Sequence, residues 1–321
     1  MYKVVSLFSG CGGADLGIVG GFDFNGKTYK KLPFDLIYAS DIDPKAVNTH
    51  KLNFNGNTVV CADICETPSD SIPDHDILVG GFPCQSFSTV NPTKNPFDDR
   101  ANLYKQMVRI IKDKQPKVFI AENVKGFMTL HKGKIFNQVV AEFEACGYKT
   151  YKALLNAADY GVPQKRERVF IIGIRNDINA EITFPDKVEG EQTPLSAVVP
   201  ELRIDDPKYY FSERAVRGMK NAKNNMKRGL AQNLNEPCLT VTSHLAKTSL
   251  NSRDPVLLVD AEKELYRRFT PREAAGIQSF PNNFVFAGSD NDAYRQIGNA
   301  IPPVMFWHIA HRVSELLSGS V

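Results

Sequence analysis

The sequence predicts an α/β fold: a doubly wound, mostly parallel sheet with helices on both faces, joined to a second, smaller domain. Three observations carry this expectation. Apolar, strand-like runs alternate with helix-length stretches through the first half of the chain. A glycine-rich turn follows the first run, where a strand hands over to a helix. The rhythm then stops after Ile174, and Asn, Pro and short polar stretches take over through about residue 265.

Taken in order, the strands are expected at Lys3–Phe8, Asp35–Ser40, Thr58–Ala62, Asp76–Val79, Lys117–Ala121 and Arg168–Ile174. Each is a short apolar run of buried-strand character bounded by turn or polar residues. The intervening helices are expected at about 11–20, 44–53, 102–113 and 133–146. An apolar helix returns at about Pro303–Leu317. No internal repeat or low-complexity tract interrupts this plan.

Bulk properties narrow the class. With 321 residues, the chain has room for one large core and a smaller one, and 42% hydrophobic with 23% charged residues is ordinary for a soluble enzyme. No apolar run approaches the roughly 18 residues of a membrane span. The opening MYKVVSLFSG runs directly into a strand and turn, leaving no room for a signal peptide. The six cysteines form no C-x-x-C pair, and Cys61 and Cys65 lack a second ligand pair for zinc. A cytoplasmic protein with reduced thiols and no metal is expected, with Cys11, Cys61, Cys65, Cys146 and Cys238 as buried or semi-buried thiols.

Net charge is only +3, but it is unevenly spread: residues 197–268 hold 13 Lys/Arg against 9 Asp/Glu, the remainder 26 against 27. Lys208, Arg214, Arg217, Lys220, Lys223, Lys227 and Arg228 crowd one stretch with Glu213 the single acid. Such a run is either a solvated helix face or a phosphate-contacting surface.

The turn FSGCGGADLG, residues 8–17, is similar to a dinucleotide fingerprint but has Asp15 in place of the third glycine. It also lacks the Gly-Lys-Ser/Thr of a phosphate loop. The second strand closes on Asp41 and the third on Asp63, where an acid can hold a ribose hydroxyl pair. Glycines, two carboxylates and apolar walls suit an adenosine without phosphate that carries a positive centre. S-adenosylmethionine fits that description better than NAD.

Residues 80–88, GGFPCQSFS, place Cys84 just beyond a strand broken by Gly80, Gly81 and Pro83. Free cysteines are usually buried and inert, yet the end of a strand in an open α/β sheet is where ligands are handled. The residues by themselves leave both roles open.

Six segments in one order give a specific resemblance: FSGCGG; GGFPCQSFS; Ala121-Glu122-Asn123-Val124; Gln164-Lys165-Arg166-Glu167-Arg168; Phe269-Thr270-Pro271-Arg272-Glu273-Ala274; and Gly298-Asn299-Ala300. Over nearly its whole length the chain resembles bacterial and phage DNA (cytosine-5)-methyltransferases. The resemblance implies a Rossmann-like S-adenosylmethionine-dependent methyltransferase fold, with residues 1–196 plus 296–321 as the catalytic domain and 197–295 as target-recognition domain and hinge. It implies Cys84 as the nucleophile, Glu122 as proton donor to ring nitrogen 3, Arg168 on the carbonyl at position 2, and Arg166 supporting the site.

The cofactor contacts expected from it are Phe8, Gly10, Gly12, Gly13, Asp41, Ile42, Asp63, Ile64, Leu103, Asn299 and Ala300. Asn299 requires the chain's end to pack back beside its first strand. The expected DNA contacts are Ser86, Ser88, Lys220, Lys223, Lys227, Arg228, Thr240 and Thr242, the base being flipped out of the duplex. A monomer acting on double-stranded DNA is expected, with any cognate restriction endonuclease acting independently. Two alternatives remain at this point: RNA methylation, known in one branch of the family, and a DNA-binding regulator without turnover.

Overall fold

A seven-stranded sheet organises the computed structural model, which describes residues 1–83, 103–221, 231–245 and 254–319. Its strands are β1 (Tyr2–Leu7), β2 (Phe34–Asp41), β3 (Thr58–Cys61), β4 (Ile77–Gly80), β5 (Val118–Val124), β6 (Tyr148–Asn156) and β7 (Glu167–Arg175). Their spatial order is β3-β2-β1-β4-β5-β7-β6. The first five are parallel, and β7 runs antiparallel to both its neighbours. The order reverses between β1 and β4, so a crevice opens beyond their carboxyl ends.

Every expected strand is present to within a few residues of its expected ends. The edge strand β6 was not anticipated; nor was the small hairpin pairing Phe22–Phe24 with Lys27–Tyr29. In β6 the run Tyr148-Lys149-Thr150-Tyr151-Lys152 mixes long polar residues with aromatics, as suits an edge with one exposed face.

Helices α1 (Gly13–Val19), α2 (Pro44–Asn53), α3 (Leu103–Lys114) and α4 (Lys134–Ala145) connect the strands. Asp43 caps α2, accepting from the Lys45 amide, and Pro44 takes the first helical position, where no amide donor is needed. Successive residues of β1 point to opposite faces of the sheet. Val4 joins a core with Phe34, Ile172, Phe306 and Ile309; Val5 joins another with Met107, Phe119 and Phe143.

Beyond β7 the elements shorten to α5 (Glu213–Lys220), α6 (Pro271–Ile277), α7 (Asp290–Asn299) and two-stranded pairings such as Leu257–Asp260 with Leu265–Arg267. A third core gathers Cys11, Leu195, Cys238, Val241, Phe269, Phe280, Tyr294 and Ile297. Arg267, fully buried, pairs with Glu273 through two bonds of 2.7 and 2.8 Å, while Glu273 also completes a capping box with Thr270 at the start of α6. The last helix, α8 (Pro303–Ser318), packs on α1, and the Tyr2 hydroxyl donates to the Leu317 carbonyl at 2.7 Å. The chain's end therefore does return to its first strand.

One thiol expectation needs correction. Cys11 and Cys238 are buried, and burial pushes both well above the ordinary thiol range, but Cys61 and Cys65 are exposed. Cys61 ends β3 and Cys65 lies just beyond it.

Candidate active site

A cavity of about 710 Å³ opens beyond the carboxyl ends of β1, β2 and β4, and it is lined from the glycine turn at one end to Glu122, Arg166 and Arg168 at the other. Phe8, Gly10, Gly13, Asp41, Ile42, Asp63, Ile64, Leu103, Asn299 and Ala300 all line it. Gly12 lies behind the turn: its φ is +94°, and a Cβ there would come within 2.5 Å of the Phe54 ring. At Gly13 a Cβ would strike the Ile301 carbonyl at 2.4 Å. Positions 12 and 13 can thus be filled only by glycine.

Asp41 holds this turn in place. Its two oxygens accept from the Gly10 amide at 2.8 Å and the Asp43 amide at 2.9 Å. Burial nonetheless raises its pKa. A carboxylate has about four acceptor sites, so lone pairs remain for a ligand hydroxyl. Asp63 is likewise tied to its own turn, accepting from the Cys65 amide at 2.9 Å. Ile42, 66% exposed, offers an apolar surface at the rim. Among the described lining residues from Ser6 to Cys65 there is no Lys or Arg, so this end has acids and apolar surface but no cation for a phosphate.

At the other end, Glu122 and Arg168 form an ion pair of 2.9 Å with each side chain only 12% exposed. Burial raises the Glu122 pKa, outweighing Arg168 and Arg166, which pull it down. Arg168 also donates to the Glu167 carbonyl at 2.8 Å. Among the described residues Arg166 pairs with no carboxylate; it donates to the carbonyls of Val241 (3.0 Å), Gly298 (2.9 Å) and Ala300 (3.1 Å). Its support of the site is therefore a matter of holding backbone.

The segment that leads to Cys84 is positioned by its neighbours. Asn123 donates to the Phe82 carbonyl at 3.0 Å, and a Cβ on Gly81 would lie 3.3 Å from Glu122 Oε2. Pro83 lines the cavity. Cys84 itself, with Ser86, Ser88, Lys223, Lys227 and Arg228, falls outside the described residues.

The expected DNA contacts that are described have partners within the chain. Lys220 pairs with Glu264, Thr240 donates to the Lys165 carbonyl at 2.9 Å, and Thr242 donates to Asp254 at 2.6 Å. Sequence reasoning missed Gln278, whose amide nitrogen reaches the Ala300 carbonyl at 2.7 Å. Its signal was an amide closing the otherwise apolar run Ala274-Ala275-Gly276-Ile277.

The family model for C-5 cytosine-specific DNA methylases matches residues 2–315. The chain belongs to that family. The methylase is 34% identical over 325 residues to the type II methyltransferase M1.ScrFI of Lactococcus lactis subsp. cremoris, covering 99% of this chain and 79% of that one. It is 33% identical over 322 residues to M.NlaX of Neisseria lactamica, covering 99% and 98%. In fold it matches the Dnmt2 methyltransferase of S. pombe, with TM-score 0.75 and 21% identity over 99% of both chains. The methyltransferase EhMeth of Entamoeba histolytica gives TM-score 0.74 and 18% identity, over 99% of this chain and 98% of that one. The methylase is thus a DNA cytosine-5 methyltransferase with a Rossmann-like sheet. Among the described residues no helix is long and apolar enough to cross a membrane, and no cluster of acids, histidines and cysteines could hold a metal.

Proposed function

We propose that this methylase uses S-adenosylmethionine to methylate carbon 5 of a cytosine flipped out of a specific duplex sequence, through covalent addition of Cys84. The observation that carries this reading is that one cavity joins the glycine turn, with the carboxylates of Asp41 and Asp63 beside it, to the buried Glu122–Arg168 pair. The residues present fit the cofactor: acids for its cationic centres, Ile42 and Phe8 for its base, and a glycine turn for close backbone approach. Phe8, Gly10, Gly13, Asp41, Ile42, Asp63, Ile64, Leu103, Asn299 and Ala300 would hold it, with Gly12 shaping the turn from behind. When bound, S-adenosylmethionine supplies an electrophilic methyl group.

The chain's own residues do the rest. The Cys84 thiolate forms a bond to carbon 6 while ring nitrogen 3 takes a proton from Glu122, leaving carbon 5 electron-rich. Burial keeps Glu122 protonated to higher pH than a free glutamate, which equips it to give that proton. Arg168 fixes the base through its carbonyl at position 2, and its charge keeps Glu122 oriented. Once carbon 5 carries the methyl group, its proton passes to water and the freed electron pair forms the carbon 5–carbon 6 double bond. The sulfur–carbon bond breaks in the same step, returning the thiolate, and ring nitrogen 3 gives its proton back to Glu122.

Residues 1–196 with 296–321 form the catalytic and cofactor-binding domain, and 197–295 the target-recognition domain and hinge. Ser86, Ser88, Lys220, Lys223, Lys227, Arg228, Thr240 and Thr242 are proposed at the DNA face, Lys220 exchanging Glu264 for phosphate. The named relatives are type II methyltransferases, which supports a modification enzyme, with a separate nuclease or as an orphan; a cytoplasmic monomer is part of the same proposal. Expression in a methylation-free host, followed by genome-wide mapping of 5-methylcytosine, tests this. One discrete methylated sequence, lost in Cys84→Ser, is expected. Transfer to tRNA but not to duplex DNA in a parallel assay would overturn it.

A further inference from the structure

A buried polar junction lies between residues 240–243 and the cavity wall at 298–300. The Val241 peptide is gripped on both sides: its amide donates to Gln164 Oε1 at 2.8 Å, and its carbonyl accepts from Arg166 at 3.0 Å. The Gln164 amide nitrogen donates in turn to the Gln278 side-chain carbonyl and to the Ile277 carbonyl. Gln278 passes the chain on, donating to the carbonyls of Ile297 at 2.9 Å and Ala300 at 2.7 Å. Arg166 reaches the same wall through Gly298 and Ala300. All three side chains are buried.

Backbone contact reinforces this network. A Cβ on Gly298 would lie 2.2 Å from the Ser243 nitrogen and 2.4 Å from the Thr242 carbonyl oxygen. The Thr242–Ser243 peptide therefore rests directly on the wall residue. Neither segment can shift alone without clashing or breaking hydrogen bonds in a place that water cannot repair.

We propose that Gln164, Gln278 and the Gly298 contact couple target recognition to the cofactor wall. Gln164 and Gln278 are positioning residues: a filled cavity fixes 298–300, these amides carry that fixity to Val241, and DNA held by the recognition domain acts back along the same path. The inference rests on the proposed function, which makes 298–300 a cofactor wall and 240–243 part of the recognition domain. Coupling of this kind must be reciprocal.

The test titrates S-adenosylhomocysteine into the full chain, alone and saturated with a duplex carrying the mapped target sequence. In the wild type the duplex should tighten S-adenosylhomocysteine binding roughly ten-fold, within the about 5–150-fold range usual for coupled sites. The same factor should appear in duplex affinity when S-adenosylhomocysteine is added. Gln278→Met keeps the volume and removes both donations while the Arg166 and Gly298 links remain, so the factor should fall about three-fold or more, while each separate affinity moves much less. A Gln278→Met chain with lowered melting temperature but an unchanged factor would make the amide merely structural and overturn the proposal.

A second measurement needs no variant. S-adenosylhomocysteine should slow hydrogen exchange of the Val241 amide in the wild type, and unchanged exchange there also overturns the coupling. A wild type that methylates its target with a factor of one sinks the coupling alone. One that neither binds S-adenosylhomocysteine nor methylates DNA sinks the proposed function and the coupling together.

Discussion

Arg168 Nε stands 2.9 Å from Glu122 Oε1, although the strand register places Phe170, not Arg168, opposite Glu122. The contact is thus a diagonal one, two residues along the antiparallel pair of β5 and β7, within reach of long side chains on one face. It exists because β7 runs against β5 and brings its first turn of sequence to the carboxyl end of the parallel strands, where the cavity is. A parallel β7 would have carried Arg168 to the amino ends of the parallel strands, away from the cavity.

Removing the proton from this pair should slow the chemical step and leave binding. Glu122→Gln keeps an acceptor for Arg168 Nε but has no carboxyl proton to give. Its kcat should fall about 10²- to 10⁴-fold, the usual range for a lost general acid. S-adenosylhomocysteine affinity should stay within a few-fold of wild type. Single-turnover methyl transfer with calorimetry checks both, and a kcat within two- or three-fold of wild type would remove Glu122 from the acid role.

The same substitution makes a pH prediction with a definite sign. Burial, the largest influence, holds the folded Glu122 pKa above the ordinary 4.5. Between these values the folded chain keeps a proton that the unfolded chain has lost, so the stability this group contributes is full below pH 4.5 and is lost as pH rises through the folded value. Wild-type stability minus that of Glu122→Gln should therefore decline with pH across that window, by at most about 1.4 kcal/mol per unit. Urea melts at several pH values measure it; a difference that grows with pH would mean that Arg168 outweighs burial.

Much of this was legible in the sequence, for reasons tied to particular residues. Parallel strands buried on both faces read as continuous apolar runs, so Ile77-Leu78-Val79 and Val118-Phe119-Ile120 announced themselves. Asp43-Pro44 marked the start of α2 through local capping. The edge strand β6, half exposed, carried too mixed a pattern to register. The cavity-lining residues Phe8, Asp41, Asp63, Glu122 and Asn299 could be picked out because each sits at a strand end or in a resembling segment. The junction of Gln164, Gln278 and Gly298 was not, because its meaning lies in distant partners: Gln164 meets Val241 77 residues on and Gln278 114 residues on. No local pattern encodes such a pairing.

Gly173 should tolerate no side chain. It pairs directly with Phe119 across β7 and β5, and a Cβ there would come within 1.9 Å of the Phe119 ring. That ring is fully buried against Phe143 and Tyr148, with centroids 4.7 and 5.2 Å away. Gly173→Ala must therefore push a packed aromatic cluster apart, at about 1–3 kcal/mol or more. Its midpoint in urea should fall accordingly, while kcat per folded molecule below the transition stays near wild type, since the cavity lies at the other end of the strand. An unchanged midpoint would show that the cluster can relax.

Asp15 and His50 should prove coupled. Their side chains are fully buried, 2.8 Å apart, with His50 stacked on Phe54 behind the glycine turn. Removing one partner leaves a polar group buried without its mate, which typically costs about 1–3 kcal/mol. Asp15→Leu and His50→Leu should each be strongly destabilising, and the double variant should lose clearly less than the sum. A double-mutant cycle by denaturant unfolding gives the coupling; simple additivity would mean that the contact contributes nothing specific.

The sharpest expectation concerns Cys84. If its sulfur bonds to carbon 6, turnover must end with loss of a proton from carbon 5. Fluorine at carbon 5 cannot leave as a cation, so a duplex bearing 5-fluorocytosine at the target should be methylated once and then held. The held species should survive denaturing electrophoresis and should form only with S-adenosylmethionine present, because proton removal follows methyl transfer. Cys84→Ser should give no such band, yet still bind the duplex, since Glu122, Arg168 and the cavity wall remain. The exposed Cys61 and Cys65 provide an internal control, Cys65 lining the same cavity. Peptide mapping of the adduct decides the matter: a crosslink on Cys65, or on any cysteine other than Cys84, would overturn this mechanism.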